Sequence, residues 1–449
     1  MLSLLLAMAL GQSLPLYCAD WKNPKTCYYG SRVSRDPRQL RGFGRSVPSA
    51  EDPYAFFEFA PASGAGMGTA CACAAVTGAK GEAVTATRAG SAYCTKEGLA
   101  TTGLTTTSMV LCGSNLPRVE ADGDGVLGLL VENAATNPVL RSQEIEAAGW
   151  DSANSGVAGP TITADYGVAP DGTTTADRVV IPATTSGQYS YRYQSGFTAV
   201  QRTTSVYIKG NGTSGTVNLL SGVSANACTA CAYVADTWSR CSLNSSSTAA
   251  TVIFFGNDSA DVSCTTSSKG AQDILVWGFQ HETGLYATSY IPTTSAAVTR
   301  VKDAYTVPGA SFPGTAFSLF ATVTTAWSVA PDLAGIFEGQ IGSATGVGFF
   351  FIPNSAVRFQ TMNAGSLNLT TGNLSPTPKT AYRVGGVSES GNSTVYWNGS
   401  ISAGPTAKNV PAAPWATATG IGYLPATTVN ALDGIISKLC LDSSTTRCR

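Results

Sequence analysis

The sequence predicts an all-β protein: two tandem jelly-roll β-sandwiches preceded by a small β-rich unit and an extended N-terminal arm. Three observations carry that expectation. Short runs of alternating apolar residues are separated by Gly, Asn and Ser turns, with no sustained helical period, which is the pattern of sandwich strands. The chain has 449 residues, more than one core fills at about 250 residues, so several domains are required. Only 12% of residues are charged, 43% are hydrophobic and 48 are Gly, a composition that builds apolar cores under a surface of hydroxyls and amides.

Residues 1–50 open with an apolar run, Leu2–Leu10, too short to cross a bilayer, which takes about 20 residues. It reads either as the core of a secretory signal peptide or as a retained anchor, with no Lys or Arg before it. Pro15, Pro24, Pro37 and Pro48 then punctuate an aperiodic arm. Residues 1–45 hold seven Lys/Arg against Asp20 and Asp36, a balance of +5 that leaves −6 for the rest of a chain whose net charge is −1. That argues against a nucleic-acid-binding body, and the basic arm is either a solvated linker or a dock for an acidic partner.

Residues 51–139 read as the small β-rich unit, with turn signals at Gly64–Gly66, Gly78–Gly81 and Asp122–Gly125. Asp122 and Asp124 suggest a calcium loop, but the spaced carboxylates and closing Glu of an EF-hand are missing, so the pair reads as a turn. Calcium is conceivable for this chain and cannot be assigned to residues; no other cofactor is expected.

Residues 140–300 read as the first sandwich, with strands predicted over 176–181, 188–193, 203–209, 217–220, 232–243, 251–255 and 274–279. Trp150, Trp238 and Trp277 are expected in its core. Tyr189, Tyr191 and Tyr193 share one face of their strand by period-two alternation, and they are the candidate ligand-binding residues. They form either a platform on which sugar rings stack or a face turned into the core, with Ser190 and Arg192 solvated on the other side. Residues 301–449 read as the second sandwich, with strands over 316–324, 334–337, 346–352, 357–361, 382–387, 393–397, 420–423 and 432–441. Phe317, Leu319, Ala321 and Val323 alternate cleanly enough to give one buried face, and Asn398–Gly399 predicts a tight hairpin turn.

Twelve cysteines fall in local groups: Cys18 and Cys27; Cys71, Cys73, Cys94 and Cys112; Cys228, Cys231, Cys241 and Cys264; Cys440 and Cys448. Each group can close within its own region, which suits disulfides formed in an oxidising compartment, with a connectivity that spacing alone leaves open. The competing reading is a zinc site on Cys228, Cys231, Cys241 and Cys264, although the second pair lacks the tight spacing of a zinc ribbon. Catalysis finds little support. A Ser-His-Asp triad would have to use His281, the single histidine, and no Gly-x-Ser-x-Gly elbow surrounds a candidate serine. No pair of carboxylates can be chosen for glycoside hydrolysis without geometry.

The stretch 276–303 carries a family resemblance. Gln280, Glu282, Gly284, the run Ala287–Thr293, then Val298, Thr299, Arg300 and Asp303 resemble a segment of phage tail-fibre and head-spike-type structural proteins. Upstream, Arg88, Ala92, Tyr93, Glu97–Leu99, Asn115–Arg118, Gly128–Glu132 and Thr136–Asn137 follow the same pattern, with Ala135 where that family often has Arg. Ser205–Lys209 and Trp238–Ser242 resemble galactose-binding-like strands, while Thr380–Gly386, Val395–Gly399 and Leu432–Ile436 resemble a laminin G/concanavalin A-like pattern. The resemblance implies a carbohydrate-binding-module-like sandwich over 140–300 tethered by residues 276–303 to a concanavalin A/laminin G-like sandwich over 301–449. It implies a non-enzymatic surface protein, on a virion or extracellular, that meets a cell-surface glycan or receptor and attaches to other particle proteins through its N-terminal region. A homo-oligomer is implied too, without a heptad or collagen repeat to specify it. A secreted bacterial lectin-like adhesin of phage origin is the alternative, favoured by the signal-like start and the cysteines; a polysaccharide-degrading enzyme ranks behind both.

Overall fold

The structure is a computed structural model that describes residues 16–18, 27–29, 56–58, 71–73, 76, 83–94, 109–121, 126–222, 227–245, 251–259, 269–307, 316–330, 332–340, 346–353, 356–363, 366–374, 376–407, 419–422 and 431–442. The expectations for Leu2–Leu10, the basic arm, the Asp122/Asp124 turn and the side chains of Cys18, Cys27, Cys71, Cys264 and Cys448 lie outside the described residues. The chain divides into two compact units, Met1–Pro53 and Tyr54–Arg449. In the first, Leu16–Cys18 pairs antiparallel with Cys27–Tyr29. All the architecture that follows belongs to the second.

The described residues are all-β, as the short alternating runs predict, and contain no helix. Ten of the described strands between Asp151 and Thr283 form two five-stranded sheets. One has the order Asp151–Ser155, Tyr189–Ser195, Val252–Asp258, Gly215–Ser221, Ala227–Tyr233; the other has Thr161–Gly167, Ala176–Ile181, Gln272–Thr283, Arg202–Gly210, Ser239–Ser245. Between them lies a core that includes Val179, Ile208, Val217, Leu219, Ile253, Phe255, Ile274 and Phe279. Trp150 joins this core, whereas Trp238 and Trp277 pack with Tyr207 and Tyr290 in a separate buried cluster. The segment 232–243, expected as one strand, is two. Residues after Tyr233 break into a turn with Asp236 at φ 56°, and Ser239–Ser245 leaves in the facing sheet.

A seven-stranded and a nine-stranded sheet enclose the second large core, in which Phe317, Leu319, Ala321 and Val323 are all 1% exposed or less. Asn398 and Gly399, at φ 46° and 83°, make the expected positive-φ hairpin turn, and Ser390–Gly391 makes a second of the same kind. Strands from the region read as a separate β unit complete these sheets. Thr85–Thr87 pairs with Ala304–Val307, while Leu127–Val131 pairs with Gly434–Asp442 and Arg118–Ala121 extends that edge. Gly128 makes the junction possible: a Cβ there would stand 2.6 Å from Ile435 Cγ2 and from the Ile436 carbonyl oxygen. The core joins the two regions as well, since Val84, Ala86, Val119, Leu129 and Val131 pack with Phe317, Val323 and Ile436.

Candidate functional site

The three tyrosines lie on the outer face of their sheet and do not enter the core. Tyr189, Tyr191 and Tyr193 are half-buried, as is Phe254, the cross-strand partner of Tyr193. Tyr189 and Tyr191 stack with centroids 4.9 Å apart and planes at 16°, and Tyr191 meets Phe254 edge-on at 4.8 Å. Phe254 also lies 5.6 Å from Tyr193. The result is a continuous aromatic surface, flanked across the ladder by Ser155, Ala153 and Asp151 on one side and by Asp258 and Gly256 on the other.

The expectation that Ser190 and Arg192 are solvated is overturned, and the reason is local. Alternation places them with Phe255 and Ile253 on the inward face, where the lead-in segment containing Ile145 and Trp150 folds over the sheet. Its backbone carbonyls need donors. Arg192 donates through Nη2 to Ile145 O and Trp150 O, both at 2.7 Å, and Ser190, fully buried, donates to Ala158 O at 2.9 Å. Gln194 brackets Leu140, accepting from its N–H at 2.8 Å and donating to its carbonyl at 3.1 Å. Polar side chains thus serve the interior, and the tyrosines are left outside.

The other sheet of this sandwich has its outer face covered. Tyr93 and Met109 join Tyr207, Trp238, Trp277 and Tyr290 there, and Met109 N donates to Pro170 O at 2.8 Å. Residues carrying the family resemblance converge beside it in a buried polar junction. Arg88 donates through Nη1 to Asp303 Oδ1 at 2.9 Å and through Nη2 to Gly113 O at 2.8 Å. Arg118, fully buried, donates to Tyr93 O at 2.7 Å, to Ser289 Oγ at 2.9 Å and to Asp303 Oδ2, and it pairs with Glu132 Oε2 at 2.7 Å. Glu132 accepts from Ser289 N at 2.8 Å and lies 3.5 Å from Arg300. Burial alone would raise the Glu132 carboxyl, but Arg300 and Arg118 outweigh it and hold the group at about 2.

Gln280, Glu282 and Asn137 fold the segment after the long strand back upon it. Gln280 accepts from Ile291 N at 2.7 Å, Glu282 accepts from Thr288 N and Oγ1, each at 2.7 Å, and Asn137 donates to Phe279 O and Ile291 O, each at 2.9 Å. Burial raises the Glu282 carboxyl above its ordinary value. His281 is sealed among these groups, its Nδ1 2.8 Å from Thr204 Oγ1 and its ring 4.6 Å from Phe197. Farther along, Asp433 accepts from Tyr286 Oη at 2.5 Å and from Asn133 N at 2.6 Å. The sequence marked most of these positions by resemblance; their convergence on one buried ion network needed the fold, because Arg88 and Asp303 are 215 residues apart.

Cys231 and Cys241 form a disulfide that bridges the two sheets of the first sandwich, and Cys73 pairs with Cys112. Cys94, Cys228 and Cys440 are disulfide-bonded as well. The zinc reading of Cys228, Cys231 and Cys241 is therefore overturned, since an oxidised pair offers no thiolate ligand. Among the described residues no group of three His, Cys, Asp or Glu is placed to hold a metal ion, and no helix is long and apolar enough to cross a membrane.

No family model matches the chain, and no curated protein matches it. Among solved structures, domains LG4-5 of the mouse laminin alpha1 chain align with a TM-score of 0.21 at 12% identity, over 65% of this chain and 90% of that one. Trypanosoma rangeli sialidase in complex with sialic acid aligns with a TM-score of 0.25 at 10% identity, over 82% and 77%. The same sialidase with the inhibitor DANA gives 0.24 at 12%, over 83% and 78%. At such scores these likenesses carry no argument about what the chain binds or does.

Proposed function

We propose that this chain is a non-enzymatic, extracellular surface protein that binds glycans through the outer face built on Tyr189, Tyr191 and Tyr193. The carrying observation is that three half-buried tyrosines and Phe254 form one aromatic surface on the outside of a sandwich whose other outer face is covered. A pyranose presents C–H groups that stack on such rings, and tyrosine hydroxyls add hydrogen bonds. Asp151, exposed beside Tyr193 in the ladder, supplies an acceptor. The second sandwich and the buried junction would then be the frame that presents this face.

The setting that best suits the motif pattern is a phage or prophage-derived particle, as a tail fibre, spike or decoration protein. A secreted bacterial lectin-like adhesin of phage origin is a second reading, favoured by the oxidised Cys73–Cys112 and Cys231–Cys241 pairs, because virion proteins assemble in a reducing cytosol. The burial of His281 counts against a triad at the single histidine. A glycan array probed with the full chain, run beside a polysaccharide depolymerisation assay, tests the proposal. Selective retention without cleavage is expected. Retention by no glycan, or turnover of any polysaccharide, would overturn it.

A further inference from the structure

The buried junction leaves one guanidinium without hydrogen bonds. Arg88, Arg118 and Arg300 face Glu132 and Asp303, three guanidinium groups against two carboxylates, and all five side chains are nine-tenths or more buried. Arg300 is the member left over. Its residue is 4% exposed, yet Nε, Nη1 and Nη2 have no hydrogen-bond acceptor among the described residues, and the carboxylate oxygen it pairs with, Glu132 Oε2, stands 3.5 Å from Nη2.

Glu132 Oε2 meets Arg118 at 2.7 Å and Arg300 at 3.5 Å as an ion pair without a hydrogen bond to either, and it lies within reach of Arg300 Nη2 alone; the other nearby carboxylate oxygens are engaged. Glu132 Oε1 takes the Ser289 amide, and the two oxygens of Asp303 take Arg88, Arg118 and the Glu132 amide. Across the ladder from Arg300 stands Ala135, whose methyl offers no acceptor. A guanidinium carries five N–H donors and remains charged at any relevant pH, so it cannot escape burial by neutralising itself. Leaving the N–H donors of such a group buried without hydrogen bonds is costly even beside a carboxylate.

We propose that Arg300 binds a small inorganic anion, chloride in an extracellular setting, as a structural ion of the junction. The anion takes the Nε and Nη1 donors that Glu132 does not reach. This site is independent of the aromatic face and of any glycan.

Two measurements test it on the full chain. Crystals grown or soaked in bromide should show an anomalous peak within hydrogen-bond distance of the Arg300 guanidinium. In solution, chloride compared with gluconate at equal ionic strength should raise Tm saturably, by about 1–2 °C if the site fills tenfold above its Kd. In Arg300→Met the chloride-specific rise should vanish. Water alone at Arg300, no bromide peak, or a chloride effect that is absent, unsaturable or unchanged in Arg300→Met would overturn the proposal. The bromide experiment needs only the native chain, so failure of the variant to fold does not protect the idea.

Discussion

Asp303→Asn removes one negative charge from the junction while keeping the shape of the side chain. Asp303 is fully buried and holds three donors: Arg88 Nη1 at 2.9 Å, Arg118 Nη2 and the Glu132 amide at 3.0 Å. An asparagine keeps one acceptor oxygen, replaces the other with an NH2 that faces existing donors, and leaves three guanidinium groups to one carboxylate. Breaking a buried pair from one side costs about 3–5 kcal/mol. At about 1 °C per kcal/mol for a chain of this size, Tm should fall by about 3–5 °C. Scanning calorimetry of the full chain measures this, with Asp151→Asn, an exposed acid, as a control expected to stay within about 0.5 kcal/mol. A shift for Asp303→Asn no larger than that of the control would refute the claim that the network holds the junction. The pH dependence points the same way. The Glu132 pKa is about 2 in the fold against an ordinary 4.5, so the unfolded chain binds more protons between those values and stability falls as the pH drops through them. The loss should be on the order of 3 kcal/mol, complete near pH 2.

Tyr290 packs 4.5 Å from Trp277 and lies 2.6 Å from Ser142 Oγ through its hydroxyl, so Tyr290→Ala should destabilise by about 3–5 kcal/mol in chemical denaturation. Glycan affinity should hold wherever the variant remains folded; a lost affinity with unchanged stability would mean the stretch is itself a binding site. Asp177 is raised to about 8, first by burial and then by its hydrogen bond with Glu146. A folded pKa above the ordinary 3.8 means stability is full below that value and declines as the pH rises through about 8. Glu146→Gln, which removes the second carboxyl, should flatten the decline in Tm between pH 5 and pH 8; an unchanged slope would remove Glu146 from the account.

Legibility of the fold followed its physics. Interior strands such as Phe317–Thr325 and Gly346–Ile352 carry a buried face and stood out by their apolar content. The edge strands Asp151–Ser155, Thr161–Gly167 and Ser400–Ala407 were missed because they are mostly exposed and read as polar loop. Residues 51–139 read as a unit of their own, since sequence spacing does not reveal that an early strand will close the edge of a distant sheet. At the tyrosine strand, alternation found the shared face but could not assign its side. That depended on the loop around Ile145 and Trp150, whose carbonyls draw Arg192 inward. The buried pairing of Arg300 with Glu132 was invisible because tertiary structure alone brings the two together.

The central claim is that the outward tyrosine row is a glycan-binding surface, and calorimetric titration of Tyr191→Ala with a glycan retained by the native chain tests it most directly. Removing one stacking ring should cost about 1.4 kcal/mol, a factor of about 10 in Kd. Because Tyr191 is half-buried on the outer face, Tm should change by about 2 °C or less. Affinity equal to that of the native chain, with the variant folded, would contradict the account.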